Sequence, residues 1–142
     1  MPTGLVAKSS VTIKALKGKV WEALVNPGMI KQYMFGTDTT SEWTKGSRIT
    51  WQGIWEGKPY KDEGVILDIQ RDHLLQYSHF SPMTGKPNVP ENYHTVTIVL
   101  SDKGDQTLVA LSQDNNATKQ ELEHSKKNWD MMLGGMKKFL EK

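Results

Sequence analysis

The stretch VWEALVNPGMIKQYMF, residues 20–35, contains two helical patterns separated by Asn26-Pro27-Gly28. In each half, apolar residues recur with the spacing i, i+1, i+4, i+5, which is typical of a helix with one buried face. Pro27 has no amide hydrogen and disfavours the helical conformation of the residue before it, so the first helix is expected to end at Asn26. Both pieces are shorter than the roughly 12 residues at which an isolated helix becomes marginally stable in water. The two short helices must therefore pack on a larger structure.

Alternating apolar residues elsewhere in the chain predict strands with one buried face. The predicted strands cover residues 9–16, 47–55, 60–69, 73–80, 92–100 and 107–113, with a shorter strand over residues 38–43. The sequence Asp102-Lys103-Gly104-Asp105 is a hairpin turn between the last two strands. Residues 81–91, which include three prolines, are predicted to form an irregular, mobile loop.

The C-terminal part of the chain changes to a helical period. Thr118 and Glu121 form a capping-box pattern, and the apolar residues that follow predict one helix of about 24 residues. Gly134 and Gly135 each lower the helix propensity by about 1 kcal/mol, which indicates a close backbone approach there. A helix of this length can bury its apolar face only against the sheet. The sequence therefore predicts an α+β protein with a curved antiparallel sheet of six or seven strands wrapped on a long C-terminal helix.

The composition excludes several classes of protein. The 142 residues suffice for one domain, predicted to span residues 1–142, and no run approaches the roughly 18 apolar residues of a membrane-spanning helix. A formal charge of +2 is too balanced to indicate a nucleic-acid partner. The chain has no cysteine, and its four histidines lack a paired spacing, so no metal or other cofactor is expected. The first residues lack a signal-peptide pattern, and a cytoplasmic monomer is expected.

Several motifs, in order along the chain, resemble those of a family within the START-like superfamily. Its members are homologues of the activator of the heat-shock-protein-90 ATPase. The motifs are residues 20–36, WTKG at 43–46, GVILDI at 64–69, LLQY at 74–77, HTVTI at 94–98, LVALSQ at 108–113 and NWDMML at 128–133. The resemblance covers residues 9–140 and implies a helix-grip fold. Many relatives have glycine at the position of Asn128 and tryptophan at that of Tyr33 or Met34. Because these positions shape the pocket, the resemblance does not name a ligand.

Large apolar and aromatic side chains are expected to converge between the sheet and the C-terminal helix. Our predicted ligand-binding residues are Met34, Phe35, Trp51, Trp55, Tyr77, His94, Gln113, Trp129, Met132 and Met136. Tryptophan, tyrosine and histidine have polar tips that need partners when buried, so a filled, dry core of these types would be costly. A partly open pocket, with Tyr77, His94 and Gln113 as its polar groups, explains the composition better.

Two histidines and three carboxylates are further candidates for chemistry. For His94, a hydrogen-bonded interior histidine is a more common situation than a ligand contact, and His79 is a weaker candidate because the register of its strand is ambiguous. The carboxylates Glu56, Asp62 and Glu63 lie near predicted strand ends, where such groups are mostly solvated. No nucleophile motif or phosphate-binding loop is present, so no catalytic residue is predicted.

Three functions follow from these observations, and we rank them in this order. The first is non-enzymatic binding of a hydrophobic or aromatic small molecule, lipid or polyketide-like, in an internal cavity, with a stress-related role. The second, implied by the resemblance, is a co-chaperone-like interaction with a heat-shock ATPase. The third is a cyclase- or hydrolase-type enzyme, as the superfamily also contains, for which His94 and a tyrosine would be the acid–base pair. Neither a nucleic-acid nor a membrane partner is expected.

Overall fold

The computed structural model describes residues 4–141, apart from the side chains of Trp55 and Met83. The elements are β1 (Ala7–Ile13), α1 (Lys17–Val25), α2 (Pro27–Tyr33), β2 (Asp38–Ser41), β3 (Arg48–Trp55), β4 (Lys58–Gln70), β5 (Leu74–His79), β6 (His94–Lys103), β7 (Gln106–Gln113) and α3 (Lys119–Leu140). The loop between β5 and β6 contains two short 3-10 turns, Pro82–Thr84 and Pro90–Asn92.

The seven strands form one antiparallel sheet in the order β1-β7-β6-β5-β4-β3-β2. This open, curved sheet packs on α3, and α1 and α2 cover one end of the space between them, as the sequence predicts. The helix buries Met132, Leu133 and Met136 against the inner face of the sheet. The result is an α+β helix-grip fold with its core between the sheet and the three helices.

The break between the two short helices lies where the proline predicts it. Asn26 has an extended backbone (φ −105°, ψ 111°) and ends α1, while Pro27 is the first residue of α2. The side chain of Asn26 accepts a hydrogen bond of 3.1 Å from the amide of Met29, which caps the second helix. Asn26 is therefore both the C-cap of α1 and the N-cap of α2, and the chain changes direction within one residue.

The start of α3 confirms one half of the predicted capping box and corrects the other. The Thr118 hydroxyl accepts from the amide of Glu121 at 3.0 Å, as expected for an N-cap. The Glu121 carboxylate accepts from the amide of Ala117, also at 3.0 Å, instead of from that of Thr118. The carboxylate thus ties the helix to the residue that precedes the cap.

The apolar residues of β4 do not all face the core. Val65 and Leu67 are 39% and 37% exposed, whereas Ile66 is fully buried. The register shifts between Ile66, which pairs with Tyr77, and Asp68, which pairs with Gln76. Leu67 is the extra residue of this bulge, and the shift turns Ile69 back towards the core. An alternating pattern cannot reveal such a bulge because the parity of the strand changes at one residue.

Two glycines allow elements to approach each other closely. A Cβ on Gly64 would lie 1.7 Å from the carbonyl oxygen of Ser78, so β4 crosses β5 closely enough to exclude any side chain. A Cβ on Gly135 would lie 3.4 Å from the carbonyl oxygen of Tyr33. The predicted close approach at the glycine pair of α3 is therefore confirmed for Gly135, which faces α2.

Candidate functional site

An interior cavity of about 80 Å³ lies between the sheet, α3 and the segment that follows α2. The lining residues are Met34, Thr37, Trp51, Tyr60, Asp62, Tyr77, His79 and Trp129. Four of the eight are tyrosine or tryptophan, and the polar groups include one carboxylate and one imidazole. The cavity therefore joins apolar walls with a polar end.

The sheet wall of the cavity is built around Trp51. Its ring centroid lies 5.0 Å from that of Tyr77 and 5.1 Å from that of His79. Tyr77 and His79 share the inner face of β5 because residues two apart on a strand point the same way. Tyr77 is 6% exposed, and burial raises the pKa of its hydroxyl well above the ordinary value. This phenol therefore stays protonated and can donate a hydrogen bond.

The helix contributes Trp129 to the opposite wall. Its indole Nε1–H donates to the side-chain oxygen of Gln113 on β7 at 2.7 Å. The Gln113 amide nitrogen in turn donates to Asn116 Oδ1 at 3.3 Å and to Ser125 Oγ at 3.2 Å. Gln113 is 7% exposed and satisfied by these contacts. Gln113 orients Trp129 through the bond to its indole nitrogen, but Gln113 itself does not line the cavity.

Tyr60 and Thr37 form the rim of the cavity next to β2. Tyr60 lies opposite Gly53, and a Cβ on that glycine would lie 2.8 Å from the tyrosine hydroxyl, so the ring occupies the space a side chain would take. The Thr37 hydroxyl donates to the carbonyl of Met34 at 2.6 Å and accepts from the hydroxyl of Tyr60. These bonds connect the turn after α2 to the sheet.

The polar end of the cavity is a carboxylate–imidazole pair. His79 Nε2 lies 2.9 Å from Asp62 Oδ2, and the two side chains are 25% and 17% exposed. The second oxygen, Asp62 Oδ1, is buried and has no hydrogen-bond partner in the described part of the chain. Asp62 pairs with Trp51 across β3 and β4, which directs it to the inner face. Our prediction of a solvated Asp62 is thus corrected by the register of these strands.

His94 occupies the interior position that its parity predicts, outside the lining of the cavity. Its Nδ1–H donates to the carbonyl oxygen of Asp114 at 2.8 Å, and its Nε2 lies 3.7 Å from Glu121. Its ring stacks on that of His79 with centroids 6.4 Å apart. His94 is therefore a hydrogen-bonded interior histidine, and His79 holds the position next to the cavity that we expected for His94.

The remaining predicted residues divide between core, surface and cavity. Met132 and Met136 are 6% and 0% exposed and belong to the core beneath the cavity-lining residues. Phe35 is 63% exposed with a left-handed backbone (φ 57°) and points away from the core. The side chain of Trp55 lies outside the described residues. Met34, Trp51, Tyr77 and Trp129 are the predicted residues that line the cavity.

Four lining residues are absent from our predicted set: Thr37, Tyr60, Asp62 and His79, the last of which the sequence indicates only as a weaker candidate than His94. The signal for His79 was present, since it shares parity with the apolar Leu75 and Tyr77. Tyr60 and Asp62 depend on which residues of neighbouring strands face each other, and a single sequence does not contain that information. Thr37 lies in the turn between α2 and β2, where no periodic pattern applies.

Other features of the described residues do not compete with this site. A more open hollow of about 470 Å³ is lined by residues of β1, β6 and β7 together with Lys126 and Asp130 of α3, and its lining lacks aromatic side chains. Within residues 4–141, no group of three or more histidine or acidic side chains is arranged to hold a metal ion. In the same range, no helix combines the length and apolar character needed to cross a membrane.

Comparisons with known proteins agree with this architecture. The family model for Activator of Hsp90 ATPase homolog 1-like protein matches residues 14–141. The solution structure of ChR145 from Cytophaga hutchinsonii is 55% identical over 96% of this chain and 94% of its own, with a TM-score of 0.84. No curated protein matches the sequence.

More distant structures share the fold. CalU16 from Micromonospora echinospora is 20% identical over 99% of this chain and 86% of its own, with a TM-score of 0.74. The Aha1 dimer from Colwellia psychrerythraea is 19% identical over 95% of both chains, also with a TM-score of 0.74.

Proposed function

We propose that this chain, which belongs to the Activator of Hsp90 ATPase homolog 1-like family, binds a hydrophobic or aromatic small molecule in its interior cavity without transforming it. The single observation that supports this function is the contrast within the cavity. Its walls include Trp51, Trp129 and Met34, whereas its ionisable acid and base, Asp62 and His79, lie together as one hydrogen-bonded pair. An apolar pocket with a few convergent polar groups is the usual form of a small-molecule site.

The volume of the cavity limits the size of the ligand that it can hold in the present conformation. Ligand pockets for drug-sized molecules measure roughly 300–1,000 Å³, against about 80 Å³ here. The present space therefore fits one ring or head group. A larger ligand, such as a lipid or a polyketide-like compound, enters only if the Met34 side chain moves outward.

The segment that would move is the end of α2 and the turn after it. The helix α2 has only seven residues, and Met34, which follows it, is partly buried against the core. The exposed ring of Phe35 follows directly and offers an apolar surface beside this segment. We propose that this segment admits the ligand, with Phe35 contacting the part that stays outside.

An NMR titration of the ¹⁵N-labelled protein with lipids, flavonoids and other polyketide-like aromatics tests the proposal. We expect amide shifts at residues 29–37, in β3 and at residues 129–136. The variant Met34→Trp should fill the cavity and abolish these shifts. The matched control is Met131→Trp, because Met131 is 51% exposed on the same protein. Binding that is insensitive to Met34→Trp, or shifts confined to the surface of α3, would reject the cavity as the binding site.

A second candidate function is a co-chaperone-like interaction with a heat-shock ATPase. The family to which the chain belongs favours it, since the family is described by its likeness to an activator of the Hsp90 ATPase. The test is the steady-state ATPase rate of an Hsp90-type protein with and without this chain. A rate increase that Met34→Trp leaves unchanged would promote this function, because the interior cavity would then be irrelevant to it.

An enzymatic function ranks third. It needs an acid–base pair at the cavity, and Asp62 with His79 supplies one at 2.9 Å, in place of the pair with His94 that the sequence suggested. No described nucleophile contacts this pair within the cavity. The cytoplasmic location, the stress-related role and the monomeric state stay predictions from the sequence.

A further inference from the structure

The unpartnered oxygen of Asp62 indicates what kind of group the cavity accepts. Asp62 Oδ2 is bound by His79, while Oδ1 is buried without a hydrogen-bond partner among the described residues. A buried acceptor without a partner is costly, because it has lost its hydration without compensation. A ligand that brings a donor to Asp62 Oδ1 removes this cost on binding.

The charges around the cavity favour a positive donor over a neutral one. None of the eight lining residues is lysine or arginine, and Asp62 is the lining residue with a carboxylate. The two lysines of β4, Lys58 and Lys61, are exposed, and Arg48 on β3 pairs with Glu63 at 3.0 Å. A cation that enters the cavity therefore meets a carboxylate whose other oxygen is bound by the His79 imidazole, and it meets no lysine or arginine side chain in the lining.

The walls also suit an organic cation. Trp51, Tyr60, Tyr77 and Trp129 all line the cavity, and aromatic faces attract cations through the negative potential of the ring. Alkyl groups on the cation would contact the same rings and the thioether of Met34. A hydrated inorganic ion gains little from such walls, since they cannot replace its water shell.

We propose that the cavity binds the head group of an alkylammonium ligand, with an ammonium N–H donating to Asp62 Oδ1 and the alkyl groups packed among the aromatic rings. This inference rests on the proposed function and names the chemical class of its ligand. The volume of about 80 Å³ admits a small, branched ammonium group. On the proposed function, any longer substituent would leave through the segment that contains Met34.

Three small probes of similar shape separate the effect of charge from that of hydrogen bonding. tert-Butylammonium and tert-butanol have the same shape and both donate a hydrogen bond, but only the first is charged. Tetramethylammonium is charged and has no N–H. In NMR titrations at neutral pH, read on the indole N–H signals of Trp51 and Trp129, we expect tert-butylammonium to bind at least tenfold more tightly than tert-butanol. Tetramethylammonium should bind with intermediate affinity.

A matched pair of variants tests the role of the carboxylate. Asp62→Asn keeps the shape of the side chain but removes its charge, and we expect it to abolish the preference for tert-butylammonium over tert-butanol. Glu63→Gln changes the next residue of the same strand, which pairs with Arg48 outside the cavity, and should leave the preference intact. The probe comparison on the unmodified protein stands even if Asp62→Asn disturbs the fold.

The outcomes distinguish this inference from the function on which it rests. If tert-butanol shifts the cavity signals as strongly as tert-butylammonium, the ammonium class is wrong and binding in the cavity stands. If none of the three probes shifts the indole signals, the cavity does not bind groups of this size and the inference is overturned. The proposed function then depends on the separate titration with larger aromatic ligands. The ammonium inference would also be overturned if Asp62→Asn and the unmodified protein showed the same preference for tert-butylammonium over tert-butanol.

Discussion

The indole N–H of Trp129 on α3 donates to the side-chain oxygen of Gln113 on β7 across 2.7 Å. This bond joins the long helix to the sheet at the edge of the cavity. Because Gln113 also donates to Asn116 and Ser125, the position of one cavity wall is fixed by a small polar network behind it. This wall of the cavity is thus held in place by contacts within the protein.

We expect Trp129→Phe and Gln113→Leu each to lower the free energy of unfolding by about 1–3 kcal/mol, because each leaves a buried polar partner unsatisfied. The double variant should cost less than the sum of the two, since the second change removes the group that the first left unpaired. Urea unfolding of all four proteins measures this. If the losses of the two single variants add up to that of the double variant, Trp129 and Gln113 are not energetically coupled.

His79 and His94 should respond differently to substitution by glutamine. We expect His79→Gln to weaken ligand binding roughly tenfold, because it removes the imidazole that orients Asp62 at the cavity. His94→Gln should leave affinity nearly unchanged and cost about 1 kcal/mol of stability through its bond to Asp114. Isothermal titration with a ligand found in the panel, together with urea unfolding, gives both quantities.

The same pair of variants tests the enzymatic alternative. If a cavity-bound compound is turned over, loss of a general base at His79 should lower the rate roughly 100-fold or more. A comparable loss in His94→Gln would instead restore the acid–base role that the sequence suggested for His94.

Gly64→Ala should be strongly destabilising. The new methyl group would lie 1.7 Å from the carbonyl oxygen of Ser78, and backbone cannot move aside as a flexible side chain can. We expect a loss of about 3 kcal/mol or more, at the upper end of overpacking effects. Thermal and urea unfolding measure it, with Gly18→Ala as a control, because nothing lies within 4 Å of a Cβ at Gly18. A loss of less than about 1 kcal/mol would mean that β4 and β5 separate easily here.

The two glycines of α3 should differ from each other. A Cβ on Gly134 meets nothing within 4 Å, so Gly134→Ala should stabilise the protein by up to about 1 kcal/mol through its helix propensity. At Gly135 the methyl group would lie 3.4 Å from the carbonyl of Tyr33, and the gain should be smaller or absent. Equal gains at both positions, measured by urea unfolding, would contradict the close approach of α2 and α3.

Asp130 should make stability depend on pH in the acid range. The hydrogen bond from Ser9 lowers the pKa of its carboxyl, and the bond from Lys126 lowers it further. Because the pKa is lower in the folded than in the unfolded state, the stabilisation is present above the unfolded value and is lost as the pH falls through the folded value. The difference in unfolding free energy between the unmodified protein and Ser9→Ala should therefore shrink from neutral pH to below about pH 3. A difference independent of pH would exclude this linkage.

The order of helices and strands could be predicted from the sequence because its signals are local. Pro27 and Asn26 end one helix and begin the next within three residues, and the turn at Gly104 joins β6 to β7 through pairing of Lys103 with Gln106. A change from a period of two to a period of 3.6 residues after Thr118 marks the terminal helix. Such features need no information about distant residues.

Part of the cavity could be predicted for the same reason. Trp51, Tyr77 and Trp129 lie on the apolar faces of their own elements, so their convergence follows once the sheet is wrapped on the helix. Phe35 follows the same periodic stretch but lies outside, because its left-handed backbone turns the chain towards β2. One residue of a turn is enough to move a side chain from the interior to the surface.

The sequence by itself thus determined the elements, their order and the apolar walls, since local periodicity and capping encode these. Only the tertiary structure decided the polar end of the cavity. Asp62 meets His79 because β4 lies between β3 and β5 with its inward-facing residues aligned to both. The bulge at Leu67 lies further along β4 and decides which of the later residues of that strand face the core. Register and bulges depend on pairing between strands that are distant in the chain, and the side-chain pattern of any single strand leaves them open.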